Sequence, residues 1–434
     1  MEKRRNKKKK HGGSKKTKMT SEQAEATKSV SDWLFIGSSS SSSPPLSSTD
    51  FAVTINNGSL RRGEKLVFEL HSHSNRSDGF LSPSKLVERA HTNGVKVLSL
   101  TDHDTMAGIP EAVEAGRRFG IKIIPGIEIS TLFRSREESG SEEPVHILAY
   151  YGTSGPAMYD ELEDFLVKIR DGRFVRGREM VSKLNKLKIP LRWEHVTRIA
   201  GEGVAPGRMH VARALLEAGH VENLRQAFTK YLHDDGPAYA TGSEPMSEEA
   251  VKLICKTGGV AVLAHPWALK DHVSVIRRLK DAGLHGVEVY RSDGKLQVFS
   301  DLADTYSLLK LGGSDYHGKG GRNESELGSV NLPVKALQDF LKLGRPIWCE
   351  AVKATMRTFL EQPSDSNLSN ILRFDRARIL KGSSSWSCGR ELMDRCLAIW
   401  LTNDERENDE FEDLRLKLSC VVINSKGSCV TVGA

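Results

Sequence analysis

From Glu64 onward, short apolar runs alternate with amphipathic stretches along the chain. Leu66 to Leu70 is the first run and ends at His71. Val95 to Leu100, Ile121 to Ile124 and Val145 to Tyr151 follow. Runs of this length, bounded by turn residues, predict strands, and continuously apolar ones predict strands covered on both faces. Between them, Ser82-Pro83 marks a helix start, with serine as N-cap and proline in the first turn, and Asn93-Gly94 marks its end. A second helix is predicted from about Pro110 to Gly120. This rhythm argues for a parallel sheet or barrel, an α/β fold class.

The stretch from about Pro156 to Ala240 breaks the rhythm. It reads as mostly helical, with Tyr159 to Leu187 the longest run, and it contains Gly207-Arg208-Met209-His210 leading into Val211 to Leu216. We read it as a helical insertion over one mouth of a barrel. The alternation then resumes. A helix Ser247 to Thr257 precedes a strand Val260 to Leu263, which ends at His265. A helix Val273 to Ala282 precedes a strand Gly286 to Tyr290. A helix Leu296 to Leu309 leads to Leu311-Gly312-Gly313-Ser314-Asp315, and an amphipathic helix of about Val334 to Leu343 closes the domain.

The two ends differ from this middle. Residues 1 to 62 combine a lysine-arginine run, a serine tract and Pro44-Pro45. Such a composition cannot bury enough apolar surface to offset chain entropy, so a disordered tail is expected. Beyond about Ala351 the alternation stops. Ser383-Ser384-Ser385 and the acidic stretch Asp404 to Asp413 look like linker or tail, and Leu414 to Val432 like a weak strand pair. The expected layout is a tail over 1–62, a main domain over 63–350 with its insertion at about 156–240, and an irregular C-terminal extension over 351–434 without an assigned role.

Charge and composition then exclude several classes. Hydrophobic residues make up 38% of the chain and charged residues 27%, as in a soluble protein. The formal charge of +7 is concentrated in Met1 to Lys18, where Glu2 stands alone against the basic residues, so the body is close to neutral. The body is therefore not a general nucleic-acid binder, although a local basic groove remains open. The lysine run reads equally as a nuclear localisation signal and as a solvated basic tail, which leaves a cytoplasmic or a nuclear location. The 6 cysteines form no C-x-x-C pair, which argues for reduced thiols. No run is long enough to span a bilayer, and the N-terminus lacks the apolar region of a secretory signal. Neither a membrane nor an obligate protein partner is expected.

The chemistry gathers just after the predicted strands. The pieces are His71-Ser72-His73 with Asp78, Thr101-Asp102-His103-Asp104, Gly126-Ile127-Glu128, Val145-His146-Ile147, Ala264-His265-Pro266 and Asp315-Tyr316-His317. In barrels of parallel strands, chemistry sits at the C-terminal strand ends. Side chains two apart on a strand point the same way, so His71 and His73 can face one metal. Alone, that pair reads more readily as two surface histidines, and His146 alone as a satisfied core histidine. Glu128 lies among apolar residues, where a carboxylate is costly unless it is paired or bound to a cation. Asp102 or Asp104 could orient a histidine or cap a helix. Together, His71, His73, Asp78, His103, Glu128, His146, His265, Asp315 and His317 would suit a cluster of divalent metals and metal-assisted hydrolysis. The histidine-rich set favours Mn, Fe or Zn over Mg. His11, His91, His195, His220, His233, His272 and His285 have no motif around them.

These pieces resemble the polymerase and histidinol phosphatase (PHP) family over roughly Val67 to Leu332, insertion included. Within it, the chain is most similar to stand-alone nucleoside 3′,5′-bisphosphate phosphatases and 5′-to-3′ exonucleases on short RNA. The resemblance implies a distorted seven-stranded (β/α)7 barrel holding three metals. His71, His73, Glu128 and Asp315 would hold one; Asp78, His103 and His265 a second; Glu128, His146 and His317 the third, with Glu128 bridging. Arg208 and His210 match a basic residue and a histidine near the substrate phosphate, where a guanidinium forks onto oxygens and a histidine hydrogen-bonds or protonates a leaving oxygen. With Asp104 they are the candidate catalytic residues. The implied substrate is a phosphorylated nucleotide or short oligonucleotide. One departure stands out: Trp267-Ala268-Leu269 follows His265-Pro266 where the subgroup has a Gly-Arg-Tyr type sequence. A phosphatase for another monoester, such as histidinol phosphate, and a non-catalytic module binding nucleic acid or a partner are the competing readings.

Overall fold

The structure, a computed structural model, describes residues 20–36, 66–134, 142–320, 324–374, 389–419, 421–423 and 429–431. The helices are α1 (Ser21–Leu34), α2 (Pro83–Thr92), α3 (Ile109–Phe119), α4 (Tyr159–Lys186), α5 (Trp193–Ala200), α6 (Arg208–Glu217), α7 (Leu224–Ala227), α8 (Ser247–Lys256), α9 (His272–Ala282), α10 (Gln297–Thr305), α11 (Val334–Glu361), α12 (Asp365–Leu372), α13 (Gly389–Trp400), α14 (Asn403–Arg406) and α15 (Asp409–Leu418). The strands are β1 (Val67–Glu69), β2 (Val95–Leu100), β3 (Lys122–Arg134), β4 (Glu142–Tyr150), β5 (Val260–Leu263), β6 (Gly286–Arg291), β7 (Gly294–Lys295), β8 (Leu309–Gly312), β9 (Val421–Ile423) and β10 (Cys429–Thr431).

One curved sheet runs β1-β2-β3-β4-β5-β6-β8, with β7 a short antiparallel ribbon on β6. Its outer strands β1 and β8 share no ladder. They meet just beyond their ends, where the Asp315 N–H donates to the His71 carbonyl (2.9 Å), the His73 N–H donates to the Tyr316 carbonyl (2.8 Å) and Ser72 bridges to Tyr316. The barrel is thus drawn together at the rim that carries the histidines. Alternate strand residues face opposite ways. Phe68, Val97, Ile124, Leu148, Val262 and Leu311 fill the inside against α11 and α1. Leu98, Ile123, Ile147, Leu263 and Val287 pack outward under the surrounding helices.

The local chemistry accounts for the element ends. The Ser82 hydroxyl caps α2 by accepting from the Lys85 N–H (3.3 Å), and Gly120 ends α3 in the left-handed region at φ 68°. Two expectations are corrected in the sheet. β4 is antiparallel to both neighbours, because no crossover helix separates it from β3. β3 runs on past the expected end at Ile124, through Pro125-Gly126, to Arg134. Glycine is required at 126 because a Cβ there would lie 2.4 Å from the Ser99 hydroxyl. Glu128 therefore sits in the middle of a strand.

The insertion has its own core, with Met180, Leu184, Val196, Val211 and Leu215 packed together. At the ends of the chain the expectations need larger correction. Within the stretch expected to be disordered, α1 is a capped helix whose Val30 and Trp33 pack against Phe340 and Trp348 of α11. The amphipathic spacing of Ala26, Val30 and Trp33 is the reason, and the surrounding polar composition hid it. The lysine run and the serine tract lie outside the described residues. α11 continues past the expected end at Leu343, through Gly344-Arg345-Pro346, so the expected boundary at 350 falls inside a helix. Its second half supplies Val352, Met356 and Phe359 to a further core with α12, α13 and α15. The acidic stretch Asp404 to Asp413 is largely helical, not a tail. β9 and β10 do pair, and Leu414 to Leu418 belong to α15.

Candidate metal centre

Glu128 is the hub of the rim. It is 1% exposed. One carboxylate oxygen lies 2.9 Å from His146 Nδ1 and 3.0 Å from His265 Nε2. The other lies 3.2 Å from His71 Nε2, 3.1 Å from His73 Nε2 and 3.4 Å from His103 Nδ1. Asp315 Oδ1 stands 3.4 Å from His71 Nε2 and 3.2 Å from His73 Nε2. Asp78 Oδ1 stands 3.3 Å from His317 Nε2 and 4.0 Å from His103 Nε2. Residues drawn from β1 to β8 thus converge on one pocket.

Three overlapping groups hold candidate ligand atoms within 4.8 Å of one another: His71, His73, Glu128 and Asp315; His73, Asp78, His103 and His317; and His103, Glu128 and His146. The first is the expected set. In the others, His317 stands beside Asp78 and His103 where His265 was expected, and His265 is in none of the three groups. His317 faces Asp78, while His265 faces Glu128 and stacks edge-on to His146 with ring centres 5.1 Å apart.

These groups fit divalent cations. Both ring nitrogens of His73, Nδ1 of His103 and Oδ1 of Asp78 are buried and, although carboxylate or imidazole atoms stand 3.1–3.9 Å away, none of them is in hydrogen-bonding geometry. Buried polar atoms left this way are costly, and a cation would satisfy several at once. The electrostatics agree. Burial alone would push the Glu128 carboxyl up, but His103, His71 and His146 hold it well below the usual range. Burial opposes charge on His73, yet Asp315 and Glu128 push it up to about 10. Burial drives His103 well down. The carboxylates stay anionic and compete for positive charge, as metal ligands do.

A second layer holds these ligands. Glu288, 1% exposed, has one oxygen 3.1 Å from His71 Nδ1, and its other oxygen accepts from the His265 N–H (2.7 Å). His265 sits at φ 28° and Asp315 at φ 53°, strained backbone of the kind that persists where surroundings over-determine it. Glu69 accepts from the Ser314 and Gly328 N–H groups (both 2.9 Å). Glu324 accepts from the N–H groups of His317, Gly318, Lys319 and Gly320. None of these glutamates was singled out in the sequence. Glu69 and Glu288 carry the same signal as Glu128, a carboxylate inside an apolar strand, and that argument applied evenly would have found them.

The three candidate catalytic residues fare differently. Asp104 orients no histidine: it accepts from the Ser130 N–H (2.7 Å) and ion-pairs with Arg173 Nε (2.7 Å). Asp102 binds the Ser74 N–H and the hydroxyls of Ser74 and Ser77, which ties down the loop carrying Asp78. His210 is 2% exposed and accepts the Gly207 N–H on Nδ1 (2.9 Å). Burial holds it down to about 4, and it lies with Ser77 of the Asp78 loop on the wall of a neighbouring cavity. Arg208 alone opens onto the expected place. It lines a cavity of about 170 Å3 with Asp78, His103 and His146 on one wall and Arg173, Arg176 and Tyr239 on the other. There it ion-pairs with Asp234 (2.6 Å). Arg173 was missed, although it occupies the buried stripe of α4 with Leu162, Leu166, Ile169 and Met180.

A barrel with clustered metal ligands at its strand ends defines a class of metal-dependent hydrolases. The profile of the PHP domain family matches residues 69–233. The 5′-3′ exoribonuclease Rnm of Salmonella typhimurium is 33% identical over 311 residues, covering 69% of this chain and 96% of that protein. The 3′,5′-nucleoside bisphosphate phosphatase of Chromobacterium violaceum is 33% identical over 299 residues, covering 67% and 98%. A solved structure from Bifidobacterium adolescentis, assigned by inference as a metal-dependent phosphoesterase, superposes with a TM-score of 0.57 at 29% identity, covering 64% of this chain and 96% of that one. The chain belongs to the PHP domain family. The expected class, a metal-dependent phosphoesterase, stands with that membership. No helix among the described residues is long and apolar enough to cross a membrane.

Proposed function

We propose that the protein hydrolyses the phosphate ester of a nucleoside 3′,5′-bisphosphate and the 5′ ends of short RNA, using a cluster of three divalent ions. The observation that carries this reading is the convergence of three ligand groups beside a cavity walled by Arg173, Arg176 and Arg208. His71, His73, Glu128 and Asp315 would hold one ion, Asp78, His103 and His317 a second, and Glu128, His146 and His265 the third. Mn, Fe or Zn suits such imidazole-rich sets better than Mg. Bound there, the ions would polarise the phosphoryl oxygens and acidify an attacking water.

The chain's own residues do the rest. Arg208, a third exposed and paired with Asp234 at the surface, can exchange that carboxylate for phosphate oxygens, which its planar fork matches. Arg173 is fixed by Asp104 and Ser130, so its charge faces the cavity without reorganising. Tyr239 offers a flat apolar wall for a base or ribose. The insertion above the rim limits water around the ester.

The test is phosphate release from a nucleoside 3′,5′-bisphosphate by metal-loaded protein, beside histidinol phosphate and a 5′-phosphorylated RNA pentamer. Preference for the nucleotide substrates, lost in His71→Ala and Asp315→Ala, is expected. Full activity in both variants would end the proposal, and faster turnover of histidinol phosphate would move it to a different monoester.

A further inference from the structure

A second cavity, of about 380 Å3, lies on the other side of the Asp78 loop from the one described above. Its walls come from the loop residues Asn75, Arg76, Ser77 and Phe80, from the end of α5, and from His210 and Arg213 of α6. Arg213 is the unusual group. Among the described residues it has no carboxylate within 4 Å and no hydrogen bond to the protein. Glu217, one turn along α6, is already taken by His195 (3.0 Å) and Arg198 (3.3 Å).

The Arg213 guanidinium carbon lies over the Phe80 ring, 4.4 Å from its centre. That cation–π contact takes up none of the hydrogen bonds its five N–H groups can make. Burial lowers its pKa from the usual arginine value, which marks a cation that has lost water without gaining a partner. Arg76 adds a second guanidinium, partly neutralised by Glu111 at 3.1 Å. Glu202 is the one carboxylate among the lining residues, and it is exposed at the edge. A half-buried arginine with free N–H groups, backed by a second arginine and by polar loop residues, is built to receive a forked oxyanion.

We propose that this cavity is a second oxyanion subsite, centred on Arg213, which takes a phosphate group other than the one being hydrolysed. The chemistry is that of a phosphate dianion or a phosphodiester, so the ligand is either free phosphate or a second phosphate of the substrate, on a nucleoside bisphosphate or along an oligonucleotide. The second source rests on the proposed nucleotide specificity; the binding itself does not. The position favours a connected substrate, since the subsite and the metal centre share the loop between Ser74 and Phe80.

The experiment is isothermal titration of inorganic phosphate into the full-length, metal-free protein and into Arg213→Gln. Losing a charge-assisted fork weakens binding by about ten-fold or more, so that loss is expected, with circular dichroism confirming the fold. Arg213→Lys, which retains the charge but not the fork, guards against misfolding of the glutamine variant and is expected to bind with intermediate strength. Equal phosphate affinity in wild type and both variants overturns the proposal. The kinetic arm separates the sources. With a substrate phosphate in the subsite, Arg213→Gln lowers kcat/KM about ten-fold for an RNA pentamer, for a nucleoside 3′,5′-bisphosphate, or for both. With free phosphate there, product inhibition weakens and neither kcat/KM changes. A protein that hydrolyses no phosphoester still answers the calorimetric question.

Discussion

The two ends of the barrel are built on opposite principles. At the C-terminal rim, Glu69, Glu128 and Glu288 are fully buried beside His71 and His73, and three of the rim residues, Asp104, His265 and Asp315, have left-handed backbone. At the far end, α11 and α1 close the barrel with Phe340, Leu337, Val30, Trp33 and Trp348. Phe340 lies edge-on between Tyr150 and Trp348. The rim gathers charge where charge is costly, and the plug supplies the apolar burial that offsets it. Stability and chemistry are thereby separated along the barrel axis, although the same strands serve both.

Mutation at either end can break or sharpen that contrast. The largest effect is expected for Glu128→Gln, which removes the anion shared by five histidines. Activity of the metal-loaded protein should fall roughly 10^4-fold, as when one member of an interdependent catalytic set is lost, while circular dichroism stays native. A loss under ten-fold would remove Glu128 from the hub. Next comes Phe340→Ala in the plug. It should cost about 3–5 kcal/mol of stability in urea denaturation and leave kcat per folded molecule unchanged. Activity lost in proportion at low urea would mean that the two ends are not separable. The smallest of the three is Glu288→Gln. Weakening the partner of a metal-ligand histidine costs about 10–100-fold in metal affinity, read by competition with a chelator. An unchanged affinity would make Glu288 a packing residue only.

Much of the rim was legible in the sequence. Histidine and carboxylate motifs after apolar runs announced the residues that gather at the rim, because a buried strand tolerates such residues only for a reason. The ends of the chain were less legible. A single helical stripe, Ala26, Val30 and Trp33, was hidden among polar residues, and the helix expected to end at about Leu343 runs on through Pro346 to Glu361. Local composition cannot show that a distant surface waits to be covered.

The sequence by itself determined which residue types stand at the strand ends, and hence that the rim would hold anionic and imidazole donors in excess of what they can do for one another. Tertiary structure alone decided how those donors are shared. It turned His317 toward Asp78 and His265 toward Glu128, buried His210, and left Arg213 without a hydrogen-bond or carboxylate partner among the described residues. Such choices depend on the closure between β1 and β8 and on the seating of the insertion. These bring together groups far apart along the chain, and no spacing within a motif records that.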